Sequence, residues 1–244
     1  MRSGLDRRIA AILAVLALAA VFVATSPDAR FEADDAFDYA SAVERAQYKD
    51  LLNPYHPIYL PIAKAVDSTL DTFIEVRSLD VLVVLGSMFT AGAIVLFYKA
   101  LKKWFGASPA QALFGAASLG TTYFVWRYAG EAEIYAFATF AGALLLWACV
   151  SWKPSRWTFI GLAALMVLAV LSHSVNAALV LATPLILNRR GWTWAQMAAV
   201  GGIAAALLLP ALVIIYEIAR TSNFGPASEA SLIGFYLGDG IETT

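Results

Sequence analysis

The chain has 244 residues, 60% of them hydrophobic and only 14% charged, with a mean hydropathy of +0.69 and a formal charge of −1. Soluble domains carry nearer a quarter charged residues, so a water-soluble globule is excluded and a polytopic membrane protein is expected. Cys149 is the only cysteine and lies in an apolar run, which excludes a disulfide framework, and nucleic acid is not an expected partner.

Residues 9–25 form the first apolar run, after Arg7 and Arg8. The run outlasts most signal-peptide cores and ends in a poor cleavage sequence, so it reads as an uncleaved first span. Further spans of about 20 apolar residues are expected over 79–98, 109–126, 133–151 and 194–215. The stretch 157–187 would measure about 46 Å as one straight helix, against a bilayer core of about 30 Å. It is interrupted by Ser172, His173, Ser174 and Asn176, with Lys153 and Arg156 before it and Arg189 and Arg190 after it. Basic loops favour the cytoplasm, so both ends belong on one side and the stretch is a helical hairpin with His173 at its outer tip.

Seven spans with a cytoplasmic amino terminus follow. The segments 1–8, 99–108, 152–157 and 188–193 then hold ten basic residues against the single acid Asp6, leaving seven basic and seventeen acidic residues for the other side. The expected fold is all-α, one transmembrane domain over 1–244. It has a helical first outer loop at 26–78 and an outer carboxy-terminal tail at 217–244.

The outer face carries the chemistry. In the first loop, Asp34, Asp35 and Asp38 open a helix expected over 34–48, where carboxylates suit the helix dipole and cap free N–H groups. The prolines flanking Tyr55 and His56 make 51–57 a turn. Leu60, Ala63, Val66 and Leu70 give 58–73 the spacing of an amphipathic helix lying along the interface. Arg77 begins the second span. Between spans three and four lie Arg127, Glu131, Glu133 and Tyr135, and His173 and Asn176 occupy the hairpin tip. Both histidines, both carboxylate clusters and Arg127 therefore fall on one side, and ionisable groups at membrane depth are functional candidates.

Each residue also has a plainer reading. The aspartates cap and solvate a loop helix, His56 packs in its turn, and Arg127 pairs locally with Glu131 four residues on. Glu133 and Tyr135 are then interface residues, and His173 caps the hairpin.

In their order, these elements resemble the GT-C superfamily of membrane glycosyltransferases, in particular its protein O-mannosyltransferase-like and aminoarabinose-transferase-like branch. The matching elements are the acid pair Asp34 and Asp35 with Tyr39, the run His56, Pro57, Ile58 and Tyr59, and the pair Glu133 and Tyr135 at the start of a span. His173 corresponds to a histidine at an outer hairpin tip. The resemblance covers residues 5–215. Asp35 stands where the family commonly has Glu, and Ile58 where it has a second proline. Family members run on into further spans, so the chain is expected to be an amino-terminal portion or a minimal member of that architecture.

The resemblance implies inverting transfer of a sugar from a polyprenyl-phosphate donor to a protein or glycolipid acceptor, on the extracytoplasmic face of the cell membrane. Asp34 or Asp35 is the general base; Tyr39, His56, Arg77, Arg127, Glu131, Glu133, Tyr135 and His173 are the substrate-binding candidates. Asp34, Asp35, Glu131 and Glu133 offer oxygen ligands to a divalent metal, but only some branches use one and none is assigned. A membrane carrier and a non-catalytic membrane scaffold are the alternatives. The spans hold almost no ionisable residue at mid-membrane, where carrier sites lie.

Overall fold

The structure, a computed structural model, describes residues 2–25, 34–53 and 56–220, without the side chains of residues 2–8 and Asp34. The fold is all-helical, with no strand among the described residues. The elements are α1 (Arg2–Ala24), α2 (Asp34–Arg45), a 3-10 turn (Tyr48–Leu51), α3 (Tyr59–Leu70), α4 (Ser78–Trp104), α5 (Pro109–Thr121) and α6 (Tyr123–Ala129). There follow α7 (Tyr135–Ser151), α8 (Arg156–Ser172), a 3-10 turn (Ser174–Asn176), α9 (Ala177–Arg189) and α10 (Trp194–Arg220). The helices α4 and α10, 27 residues each, are long and apolar enough to cross a membrane; Ile9–Ala24, α7 and α8 are apolar and shorter.

The helix ends gather at two poles. At one, the ends of α4, α7 and α9 meet the starts of α8 and α10 in a core that includes Ala100, Cys149, Leu162, Leu187 and Val200. Leu162 near the start of α8 and Leu187 near the end of α9 share this core, so the chain returns across the bundle after His173. Local chemistry defines this pole. Ser108 and Gln111 form a capping box on α5, Ser155 and Thr158 one on α8, and Thr193 and Gln196 exchange the same bonds at α10, satisfying the free N–H groups of each first turn. Gly106 and Gly191 follow α4 and α9 with φ of 61° and 80°, left-handed positions that side chains resist.

At the other pole, α2, α3 and the first 3-10 turn pack on the starts of α4 and α7. Lys64 Nζ donates to the Val43 carbonyl at 2.7 Å, a cation on the open end of α2 that fastens α3 to it. Trp126 Nε1 donates to Thr25 Oγ1 at 3.2 Å, tying the end of α1 to α6.

Several expectations are corrected. The helix expected over 34–48 ends at Arg45, and the span expected over 109–126 breaks at Thr122, whose ψ of 137° separates α5 from α6. The buried stripe of α3 is Tyr59, Leu60, Ala63 and Asp67, rotated from the expected one because α3 packs onto α2 and α4. The tail expected from 217 begins in helix, with Glu217 bonded to Arg220, and 221–244 lie outside the described residues.

The segment after α6 sits directly on α4. Ser87 Oγ donates to the Ala129 carbonyl at 2.7 Å. A Cβ on Gly86 would meet the Glu131 carbonyl oxygen at 3.2 Å and those of Ala129 and Tyr128 at 3.5 Å. Backbone carbonyls cannot swing aside as side chains do, so Gly86→Val is expected to destabilise the fold by about 1–3 kcal/mol. Thermal unfolding reads this as a lowered midpoint; an unchanged midpoint would mean that the segment is not seated on α4.

Candidate functional site

Four segments distant in sequence meet at the second pole. On α2, Asp35 and Tyr39 stand four residues apart and so share a face. His56 leaves the turn before α3 and is 4% exposed. The segment between α6 and α7 carries Glu131 and Glu133, both buried, and Tyr135 opens α7. His173 ends α8.

Their rings form a continuous chain. Tyr39 meets His56 edge-on at 5.7 Å, His56 stacks on His173 at 6.4 Å, His173 meets Tyr135 at 5.4 Å, and Tyr135 meets Tyr128 at 4.8 Å. The hairpin tip is held in this place by Asn176, whose Nδ2 donates to the Ala138 carbonyl at 3.0 Å and to Ser172 Oγ at 3.1 Å. Nδ1 of His173 accepts from the Val175 N–H at 3.1 Å. The neutral ring therefore carries its proton on Nε2. His173 caps the tip, as its plainer reading expects, and still offers a donor to the site.

Arg127 borders the cluster. Its Nε donates to Glu131 Oε1 at 2.8 Å and its terminal nitrogen to the Tyr123 hydroxyl at 2.7 Å. The local ion pair is thus formed, and a phosphate there would share the guanidinium with Glu131. The second Glu131 oxygen, His56 Nδ1 and the Tyr59 hydroxyl are buried without a hydrogen-bond partner among the described residues.

Burial and like charge shape the electrostatics. Burial, with His173 adding to it, lowers His56 to about 4, so the ring is neutral at physiological pH. Burial also lowers His173. Burial, then the charges of Asp35 and Glu131, raise Glu133 to about 7; a backbone hydrogen bond at Ile134 and the charge of Arg127 pull the other way. Burial and the charges of Asp35 and Glu133 raise Tyr39, and burial with Glu133 raises Tyr59. The arrangement is an exposed carboxylate, Asp35, beside a buried carboxyl that exchanges its proton near neutrality, flanked by uncharged imidazoles. No group of three or more metal-ligating side chains gathers among the described residues.

Beside Tyr128 and Tyr135 a cleft of about 360 Å3 opens between α4, α6 and α7, walled by Phe124, Val125, Ala136, Thr90 and Thr139. It is mostly apolar, with the two tyrosines where it meets the ring chain.

The expected site residues divide clearly. Asp35, Tyr39, His56, Glu133, Tyr135 and His173 come together, with Arg127 and Glu131 beside them. The side chain of Asp34 lies outside the described residues. Arg77 does not join them. It pairs with Asp80 at 2.8 Å and lines a groove on the far side of α2, because it stands just before α4 on the side where α3 ends. Two members are missing from the sequence reading. Tyr59, fully buried against Phe137, stood in the His56 element but was given no role of its own. Tyr128, next to Arg127, was given no role.

No family model, no curated protein and no solved structure matches the chain.

The two shifted groups act on stability in opposite directions. Glu133 binds its proton more tightly in the fold than its ordinary value near 4.5, so its contribution is full below about 4.5 and lost as pH rises through 7. His56 is protonated more readily unfolded, near 6.5, so its contribution is full above 6.5 and lost as pH falls towards 4. Glu133→Gln should flatten the first slope and remove a carboxyl infrared band that titrates near 7; His56→Gln should flatten the second. A band that persists in Glu133→Gln would assign that titration elsewhere.

Proposed function

We propose that the chain is an integral membrane glycosyltransferase that moves a sugar from a polyprenyl-phosphate donor to an acceptor hydroxyl at the outer membrane–water interface. The observation that carries this reading is the convergence of Asp35, Tyr39, His56, Glu133 and His173, from four separate segments, beside an apolar cleft.

The membrane setting rests on more than the two long helices. Large apolar side chains point outward on helix after helix: Leu13 is 59% exposed, Phe114 77%, Leu181 79% and Leu209 62%. In water such a belt is an aggregation surface; in lipid it is the expected exterior. The pole with the capping boxes carries Lys102, Lys103, Lys153, Arg156, Arg189 and Arg190, which suits a cytoplasmic side. Seven spans with an inside amino terminus fit this: α1, α4, α5 continued by α6, α7, α8, α9 and α10.

In the reaction, the acceptor oxygen attacks the anomeric carbon from the face opposite the phosphate. The bond from that carbon to the phosphate oxygen breaks, its electron pair leaving with the lipid phosphate, and the configuration inverts. Asp35 takes the acceptor proton. It is preferred to Asp34 because it shares the face of Tyr39 and its charge acts on Glu133. The Nε2–H of His173 and the guanidinium of Arg127 meet the charge growing on the phosphate, and neutral His56 orients without adding charge. The apolar cleft beside Tyr135 suits the donor's lipid.

The test is transfer from a polyprenyl-phosphate sugar in proteoliposomes. Asp35→Asn should lower the rate by about 10²–10⁴-fold, and Arg127→Ala should raise the donor KM with a smaller effect on kcat. Full activity in both Asp34→Asn and Asp35→Asn would end the proposal.

A further inference from the structure

A second polar feature lies on the opposite face of α2 from Tyr39. A groove of about 900 Å3 runs between α2, α3 and the start of α4. Asp67 lines it and is the anomaly. It occupies the buried stripe of α3, in register with Tyr59, Leu60 and Ala63, where an apolar side chain is expected. It is 7% exposed, and its Oδ1 is buried with no hydrogen-bond partner among the described residues. A buried carboxyl oxygen without a hydrogen-bond partner is costly to a fold and calls for a donor. The nearest base in sequence on its own helix, Lys64, spends a hydrogen bond on the Val43 carbonyl, and Arg77 is bound to Asp80. Asp71, one turn beyond Asp67, and Glu75 add acid to the same groove.

The groove does not end in solvent alone. Val76 lines it and also lines an apolar furrow of about 260 Å3 between α3 and α4, walled by Val66, Leu70, Val81 and Met88. A polar groove with an unpaired buried carboxylate thus joins a hydrocarbon furrow on the outside of the bundle. Such a pair of compartments matches an amphiphile with a hydrogen-donating cation at its head. Arg45, also on the groove, suits a phosphate linking that head to its tail.

We infer that this groove and furrow form a lipid site, distinct from the ring cluster, that takes a lipid whose headgroup carries a primary ammonium, with Asp67 as its anchor. Only a head with N–H donors meets the carboxylate by a charge-assisted hydrogen bond; a trimethylammonium head cannot. The inference rests on the membrane setting proposed above and not on sugar transfer.

The test is native mass spectrometry of the full chain released from detergent micelles supplied with equal phosphatidylethanolamine and phosphatidylcholine of the same acyl chains. The expected result is retention of phosphatidylethanolamine by about tenfold over phosphatidylcholine, with soluble phosphoethanolamine unable to displace it at equal concentration. Asp67→Asn, with the melting midpoint of the parent, should abolish the preference. Equal retention of the two lipids by the parent chain would overturn the inference without any variant. So would a folded Asp67→Asn that keeps the preference, and displacement by soluble phosphoethanolamine would overturn the role of the furrow. Because the readout is binding, a failed sugar-transfer assay leaves it standing.

Discussion

The close seating of residues 128–133 on α4 is the constraint from which the rest of this pole follows. Gly86 leaves room for three backbone carbonyls, and Ser87 donates to one of them, that of Ala129. That contact draws the segment inward until Glu131 and Glu133 are both buried. Buried carboxylates are costly unless they are paired or protonated. The two neighbours resolve this differently. Glu131 takes Arg127 as its partner, four residues back. Glu133, with Asp35 as a like-charged neighbour, holds its proton to about 7. One backbone approach thereby yields a fixed ion pair and a carboxyl that exchanges a proton in the physiological range.

The packing of α2 and α3 over that segment completes the cluster. Tyr59 and Phe137 lie ring against ring, and Tyr39 reaches His56. The hairpin tip supplies His173, locked by its own Nδ1 bond and by Asn176. A scatter of solvated polar groups, as in a passive scaffold, would not need imidazoles stacked at 6.4 Å with one of them 4% exposed. A carrier would be expected to draw its charges to the middle of the helices, whereas these gather where helices end. Both facts support the proposed interfacial chemistry on a lipid-borne substrate.

Much of this was legible in the sequence, for physical reasons. Apolar runs bounded by basic residues set the helices, and Ser172 to Asn176 broke one of them where the structure breaks it, at the extended backbone of His173. Five of the clustered residues belong to the acid pair, the histidine–proline turn and the second acidic element, and the sixth, His173, to the hairpin tip. What was not legible depended on rotation and packing. A single residue of phase decides whether Val66 or Asp67 faces the core of α3. The break at Thr122 lies inside an apolar run with no proline or charge to announce it. Arg77 looked available because its position in the chain does not fix the face of the helix it stands on, and its pairing with Asp80 is local. The proposed preference for Asp35 over its neighbour depends on the face it shares with Tyr39, which only the packing of α2 reveals.

The central claim is that this pole consumes a lipid-linked sugar from the outer side. The most direct measurement is the appearance of free polyprenyl phosphate when the intact chain, reconstituted in one orientation, meets a polyprenyl-phosphate sugar and a hydroxyl acceptor. The account predicts release only when the pole bearing His56 and His173 faces the donor, with an inverted anomeric carbon in the product. Release from the opposite orientation, or a product with retained configuration, would contradict it.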